Sequence, residues 1–182
     1  RKLDSIRTSR DEALNELFIL KNDQINELMY YLERRYPTST HITIFSVHNG
    51  GGVPKTGSKK HMTVLYTTDN VRGVDILKEY EEYPLYAGYS AYVAEMLANK
   101  GEIVEIDNVN YRPDIYIDET KSNMDRLSTK SLAGAWIKTS PTHTYYISAS
   151  FDSISGLNHP NNFPKSILED ARRRLTKLID VN

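Results

Sequence analysis

Apolar residues recur at helical spacing near both ends of the chain and at strand spacing between them. Residues 9–36 (SRDEALNELFILKNDQINELMYYLERRY) form one long amphipathic stretch, and residues 164–180 (PKSILEDARRRLTKLID) form a second. Apolar side chains three and four positions apart lie on one face of a helix. The pattern therefore predicts a helix at each end, with Pro37 ending the first and Pro164 near the start of the second.

Short runs rich in β-branched and aromatic residues lie between these helices and predict strands. They cover residues 41–48, 61–68, 102–107, 131–139 and 143–151. The last two are separated by only a few residues, SPT, which predicts a tight antiparallel hairpin. Residues 86–99 again show helical spacing, and Gly101 is placed to end that helix.

This order of elements predicts an α+β fold with a central antiparallel sheet of about five to six strands. The N- and C-terminal helices are expected on one face of the sheet. The crossover helix at residues 86–99 and the loops are expected on the other. Residues 69–85 are predicted to hold a short helix around Val74, Leu77 and Tyr80, and residues 108–128 to be irregular with one helical turn.

The first helix carries two apolar stripes, wider together than contact with one sheet requires. One comprises Leu14, Phe18, Ile25, Leu28 and Leu32, and the other comprises Leu3, Ile6, Ala13, Leu17 and Leu20. We expect one to pack on the chain's own sheet and the other on a second helix, which predicts a homodimer. Ser9 and Glu12 have capping-box spacing, which indicates a helix start or restart there. The expected division is a dimerisation or tether helix at residues 1–36 and a domain at residues 37–182.

Composition excludes several classes of function. The 182 residues suffice for one domain with a buried core, and the net charge of −1 argues against a general nucleic-acid binder. The absence of cysteine removes disulfides, thiolate metal sites, cysteine nucleophiles and thioether-linked chromophores. No cofactor is expected. No apolar run is long enough to cross a bilayer.

The beginning of the sequence has two interpretations. It starts at Arg1 instead of Met, which suggests a piece of a longer protein, and RKLDSIRTSR is basic. Basic residues accumulate on the cytoplasmic flank of membrane helices, so a preceding segment would tether the chain to the inner face of a membrane. Alternatively, these residues are the solvated start of the first helix. The expected location is cytoplasmic, with which the absence of cysteine is compatible.

Three segments of the sequence resemble a GAF domain. Residues 88–107, ending in EIVEID, are similar to the family's helix followed by a short strand that closes on an acidic residue, here Asp107. SLAGAWIKT resembles its small-residue strand, and YYISASFD with the following loop and helix resembles its last strand and closing helix. The resemblance covers about residues 41–180, and the related PAS fold is the competing assignment.

The resemblance implies a small-molecule site between the sheet and the crossover helices, and pairing of two subunits through terminal helices. The NKFDE-type signature of the cyclic-nucleotide-binding subset is not found in this sequence, and the cysteines of the sulfoxide-reducing subset are absent. Asp107 is interpreted as an acceptor of backbone N–H groups in the turn that follows it.

Six aromatic residues are the candidates for a ligand site. The chain holds 13 Tyr against 4 Phe and 1 Trp, and tyrosine suits half-wet pocket walls. The expected walls, which would hold a planar ligand, come from the second strand, the crossover helix and the final hairpin: Tyr66, Tyr86, Tyr89, Tyr92, Trp136 and Tyr146. The alternative is that these rings fill the core beneath the helices.

No catalytic or metal site is predicted. Ser131, Ser148 and Ser150 lie in strands without a nucleophile elbow, and His48 and His61 approach each other only as strand-end residues. The loop at residues 50–60 has glycine spacing like a P-loop, but a strand follows it instead of a helix. The sequence thus predicts a non-enzymatic, ligand-binding regulatory domain. The alternatives are an interaction module with a vestigial pocket and, third, a hydrolase or transferase.

Overall fold

A computed structural model describes residues 2–68 and 74–180. In chain order the elements are α1 Lys2–Arg35, β1 Ser39–His48, β2 His61–Thr67, α2 Ile76–Glu79, β3 Tyr83–Pro84, α3 Ala87–Ala98, β4 Val104–Ile106, α4 Asp118–Arg126, β5 Ser131–Thr139, β6 Thr144–Phe151 and α5 Ser166–Leu178. Short 3-10 turns occupy Val109–Tyr111 and Gly156–Asn158.

The strands form one antiparallel sheet in the order β3-β2-β1-β6-β5-β4. Successive side chains of a strand point to opposite faces of the sheet, so β1 contributes to two cores. Ile42 and Ile44 face α1 and α5, and Phe45 and Val47 face α2, α3 and α4. The predicted α+β architecture is confirmed, with the terminal helices on one face and the crossover helices on the other.

The terminal helices lie side by side. α1 buries Ile25, Leu28, Met29 and Leu32 from its second half. The Tyr36 hydroxyl donates to the Pro164 carbonyl (2.9 Å) and accepts from the Leu168 backbone N–H (3.1 Å), which fixes the end of α1 to the start of α5. At the opposite end of α5, Lys21 forms an ion pair with Asp180 at 2.6 Å.

Helix α1 begins earlier in the chain than predicted. The helix runs without interruption from Lys2, so the capping-box pair Ser9 and Glu12 marks no start. Every described residue up to Leu20 is exposed, including all of the stripe Leu3, Ile6, Ala13, Leu17 and Leu20. No helix of the described residues is both long and apolar enough to cross a membrane.

The segment at residues 108–128 was predicted incorrectly. It holds α4, a helix of nine residues, DETKSNMDR, whose buried side chains are Thr120, Asn123 and Met124. Of these, only Met124 is apolar, which is why the sequence shows no helical stripe there. The predicted helix within residues 69–85 is present as α2, although residues 69–73 lie outside the described part of the chain.

Candidate ligand-binding cleft

Buried tyrosines occupy the space between the sheet and α3, where the aromatic pocket was expected. Tyr89, Tyr92 and Tyr146 are only 6%, 1% and 1% exposed. Tyr92 packs edge-on against Tyr146, with ring centroids 6.3 Å apart, and Phe45 stacks on the other side of Tyr146 at 5.1 Å. Edge-to-face and offset contacts of this kind are those that aromatic rings prefer. The three rings thus form part of a packed core.

Asn123 organises the polar ends of this cluster. Its side-chain oxygen accepts from the Tyr80 hydroxyl (2.9 Å) and from the Tyr89 hydroxyl, and its amide donates to Glu79 at 2.9 Å. Arg126 binds the same Glu79 oxygen at 2.8 Å. Burial raises the pKa of both Tyr80 and Tyr89 above the usual tyrosine range, so both hydroxyls stay protonated and act as donors. This network joins α2, α3 and α4.

Tyr66 lies apart from the other predicted site residues. Leu65 is an extra residue on β2, because Ile44 pairs with Tyr66 while Phe45 pairs with Val64. Such a bulge reverses the alternation of side chains along the strand. Tyr66 therefore points towards α1, and its hydroxyl donates to Asn22 at 2.5 Å.

Trp136 and Tyr86 are half-buried at the border of the tyrosine cluster. The Trp136 indole N–H donates to the Thr139 hydroxyl at 2.9 Å, and the Lys100 ammonium lies 4.9 Å from the ring centroid. Tyr86 packs edge-on against Tyr83 at 5.3 Å. The structure thus brings Tyr86, Tyr89, Tyr92, Trp136 and Tyr146 to one face of the sheet, but without an open space among the three buried rings.

An open cleft lies beside this core, at the end of the sheet where β1 ends and β5 turns into β6. It has a volume of about 340 Å³, within the range of small-molecule sites. Its apolar wall comprises Val47, Pro54, Leu85, Val93, Ala94, Leu97 and Pro141. Its polar rim comprises His48, Lys60, Ser90, Thr139, Ser140, Thr142, His143 and Thr144. We call this site the α3 cleft.

Four separate segments build the α3 cleft. β1 ends in it at His48, the following loop contributes Pro54 and Lys60, α3 presents one exposed face, and the hairpin turn contributes residues 139–144. The turn is held by the Ser140 backbone N–H, which donates to the His143 carbonyl at 2.8 Å, and by the His143 N–H, which donates to the Ser140 hydroxyl at 3.0 Å. The sequence did not predict this site, because its lining comes from four separate segments and none of them carries a recognisable binding motif.

Three histidines meet at this end of the sheet. The His48 ring centroid lies 6.1 Å from that of His61 and 5.2 Å from that of His143. Burial lowers the pKa of His48, and the positive charges that His143 and His61 would carry lower it further. His48 accepts from the Gly50 backbone N–H (3.0 Å) on Nδ1, so its Nε2–H donates to the Thr63 hydroxyl at 2.7 Å. This histidine is neutral at pH 7.

The chemistry available in the α3 cleft suits reversible binding. It combines an apolar wall, several hydroxyl groups that donate or accept, and the Lys60 ammonium. Among the residues that the structure describes, no group of three or more His, Asp or Glu side chains is placed to hold a metal ion.

Comparison with known proteins shows similarity in structure alone. No family model matches the sequence, and no curated protein matches it. A free methionine-R-sulfoxide reductase from Thermoplasma acidophilum aligns with a TM-score of 0.56 and 13% identity, over 89% of this chain and 94% of the other. The GAF domain of a two-component sensor histidine kinase from Bacillus halodurans aligns with a TM-score of 0.51 and 13% identity, over 86% and 92%.

These similarities correct one prediction. The chain was expected not to be an enzyme, because its sequence shows no catalytic site and resembles a regulatory domain, yet the same fold is found in a sulfoxide reductase. That expectation is wrong, since the fold does not exclude catalysis. At these identities the comparisons show the architecture alone. This chain has a six-stranded antiparallel sheet between terminal and crossover helices, and it aligns with the GAF domain of a sensor kinase. It therefore has a GAF-like fold.

Proposed function

We propose that this GAF-type domain is a regulatory module that binds a small molecule in the α3 cleft and pairs with a second copy through α1. The observation that carries the proposal is the α3 cleft itself, an unfilled space with a mixed apolar and polar lining next to a closed core. The similarity to the Bacillus halodurans structure, a GAF domain of a sensor histidine kinase, supports a regulatory role.

Strands β1 and β6 contribute side chains both to the cleft and to the core under the terminal helices. Val47 of β1 and Thr144 of β6 line the cleft. A few positions along these strands, Ile44 and Ile147 pack against the terminal helices. A ligand that binds one arrangement of these strands more tightly than another would shift the position of α1. We propose this as the route from ligand to helix pairing.

A thermal-melting screen tests the ligand. At ten times its Kd, a ligand adds about 1.4 kcal/mol and raises Tm by roughly 3–5 °C in a chain of this size. The screen uses the intact protein, an Ala94→Trp variant that fills the cleft, and an Ala98→Trp control. Ala94 and Ala98 are both exposed on α3, but only Ala94 lines the cleft.

We expect at least one metabolite to raise Tm in the intact protein and in Ala98→Trp but not in Ala94→Trp. A broad library that shifts no Tm would contradict ligand binding. That result would instead favour the interaction module, in which the buried tyrosines leave no pocket and the domain only assembles subunits.

The exposed half of α1 supports the pairing. Leu3, Leu17 and Leu20 are 82%, 47% and 61% exposed, in a stretch of helix whose described residues up to Leu20 are all exposed. The series Leu3, Ile6, Arg10, Ala13, Leu17 and Leu20 keeps the alternating three-four spacing of a coiled-coil seam. A second copy of α1 is the partner that this spacing fits. A longer protein tethered at a membrane would present the two helices side by side.

Sedimentation velocity tests the pairing with charge-matched variants. Leu17→Asp with Leu20→Asp places two carboxylates in the seam, while Ser9→Asp with Asn15→Asp adds the same charge at exposed positions of α1 outside it. We expect the intact chain and the Ser9/Asn15 variant to sediment as dimers, and the Leu17/Leu20 variant as a monomer with an unchanged far-UV spectrum. A monomeric intact chain at about 100 μM, a concentration at which even a micromolar dimer would form, would refute the pairing.

A further inference from the structure

The residues that line the α3 cleft include basic side chains but no acidic one. The cleft continues into a groove along the β1–β2 loop, and the two share Pro54, Lys60, Leu85 and Ser90. Together they are lined by Lys55, Lys59 and Lys60 and by His48, His61 and His143, and no Asp or Glu lines either. In the whole chain, Asp and Glu (24) outnumber Lys and Arg (23), so this surface is more basic than the chain as a whole.

Lys60 is the cation that belongs to the cleft. His48 and His61 also line a neighbouring groove, and that groove includes two acidic residues, Glu81 and Glu82. Lys60 does not line that groove, and it lies where the cleft and the lysine-rich loop meet. Lys60 is exposed, and no carboxylate lines the cleft or the loop groove, so its charge attracts an anion that enters the cleft.

The remaining lining determines what kind of anion fits. Val93, Ala94 and Leu97 present an apolar face of α3, and Val47 and Leu85 extend it. Such a wall favours a ligand with an apolar body. One lysine next to several neutral hydroxyls matches a single negative charge better than the double charge of a phosphate monoester.

From these features we infer that the α3 cleft binds small monocarboxylic acids with an apolar body, the carboxylate on Lys60 and the body against α3. This inference rests on the proposed function and names the class of ligand. Ser90 is exposed on the same rim, where its hydroxyl would donate to the second carboxylate oxygen.

Calorimetric titration with three matched compounds tests the inference: 4-phenylbutyrate, its neutral amide and the corresponding amine. The single tryptophan, whose indole donates to Thr139 at the cleft rim, gives an independent fluorescence readout. We expect the acid to bind at least about tenfold more tightly than the amide, as a charge-assisted contact requires, and the amine not to bind.

Two lysine variants assign the contact. Lys60→Gln is expected to weaken binding of the acid by about tenfold while leaving the amide unchanged. Lys130→Gln is the control, because Lys130 is exposed just before β5, at the end of that strand away from the cleft. Equal Kd values for acid and amide, or no effect of Lys60→Gln, would overturn the inference.

The inference and the proposed function fail in different ways. If phenylbutyrate does not bind at about 10 mM, far above a typical ligand Kd, the inference is overturned. Metabolites that still raise Tm in the intact protein but not in Ala94→Trp would leave the proposed function standing with another class of ligand.

Discussion

Replacing Asn123 by leucine is expected to lower the free energy of unfolding by about 3–5 kcal/mol, since each buried polar group left without a partner costs about 1–3 kcal/mol. Asn123 is fully buried and accepts from Tyr80 and Tyr89 while donating to Glu79. The variant keeps the side-chain volume but strands the Tyr80 and Tyr89 hydroxyls, while Glu79 keeps its contact with Arg126. Chemical denaturation monitored by circular dichroism measures the loss.

Two further variants test the cause. Ser122→Leu changes the adjacent exposed residue of α4, and its effect should stay within about 0.5 kcal/mol. Adding Tyr80→Phe and Tyr89→Phe to the Asn123 variant removes the stranded hydroxyls, and part of the lost stability should return. A loss below about 1 kcal/mol for Asn123→Leu, or no recovery on removing the hydroxyls, would show that the network does not hold α2, α3 and α4 together.

Lowering the pH from 7.5 to 5 is expected to remove about 2 kcal/mol of stability through His41 alone. Each pH unit below the pKa of the unfolded state removes about 1.36 kcal/mol, until the pH reaches the lower pKa of the folded state. Burial in β1 lowers the pKa of His41 from 6.5 to about 4, and its side chain is 2% exposed. The folded state holds this histidine neutral while the unfolded chain takes up a proton. The stability is therefore complete above pH 6.5 and falls as the pH drops from 6.5 towards 4.

Denaturation curves at both pH values, compared with those of His41→Gln, isolate this contribution. The variant should lose about 2 kcal/mol less between the two pH values than the intact protein does. An NMR titration of the His41 ring supplies the same answer without a variant, since the ring should still be neutral at pH 5 in the folded protein. An imidazole signal that titrates near 6.5 would contradict the burial argument.

The sequence predicted the elements whose apolar pattern is strong. Five strands, the two terminal helices and α3 follow from the sequence, because their apolar residues recur at helical spacing or are concentrated in short strand-forming runs. The sequence did not predict α4 because two of its three buried side chains, Thr120 and Asn123, are polar, and Asn123 is held by hydrogen bonds. A helix fixed by polar contacts has no hydrophobic signature.

The predicted ligand residues show what sequence patterns do not determine. Alternation from Met62 and Val64 places Tyr66 with the other aromatic side chains, and a one-residue bulge at Leu65 sends it to the opposite face. Tyr89, Tyr92 and Tyr146 lie where they were expected but are packed against one another, the alternative that the sequence left open. Whether neighbouring rings enclose a space depends on packing in three dimensions, which periodicity does not contain.

The central claim is that a ligand enters the α3 cleft and not the buried tyrosine cluster. Backbone amide shifts recorded by NMR during addition of a compound that raises Tm test it residue by residue. We expect the largest shifts at Val47, Ser90, Leu97 and Thr142, which line the cleft, and small ones at Tyr80 and Asn123. Large shifts confined to Tyr80, Asn123 and the rest of α4 would contradict the account.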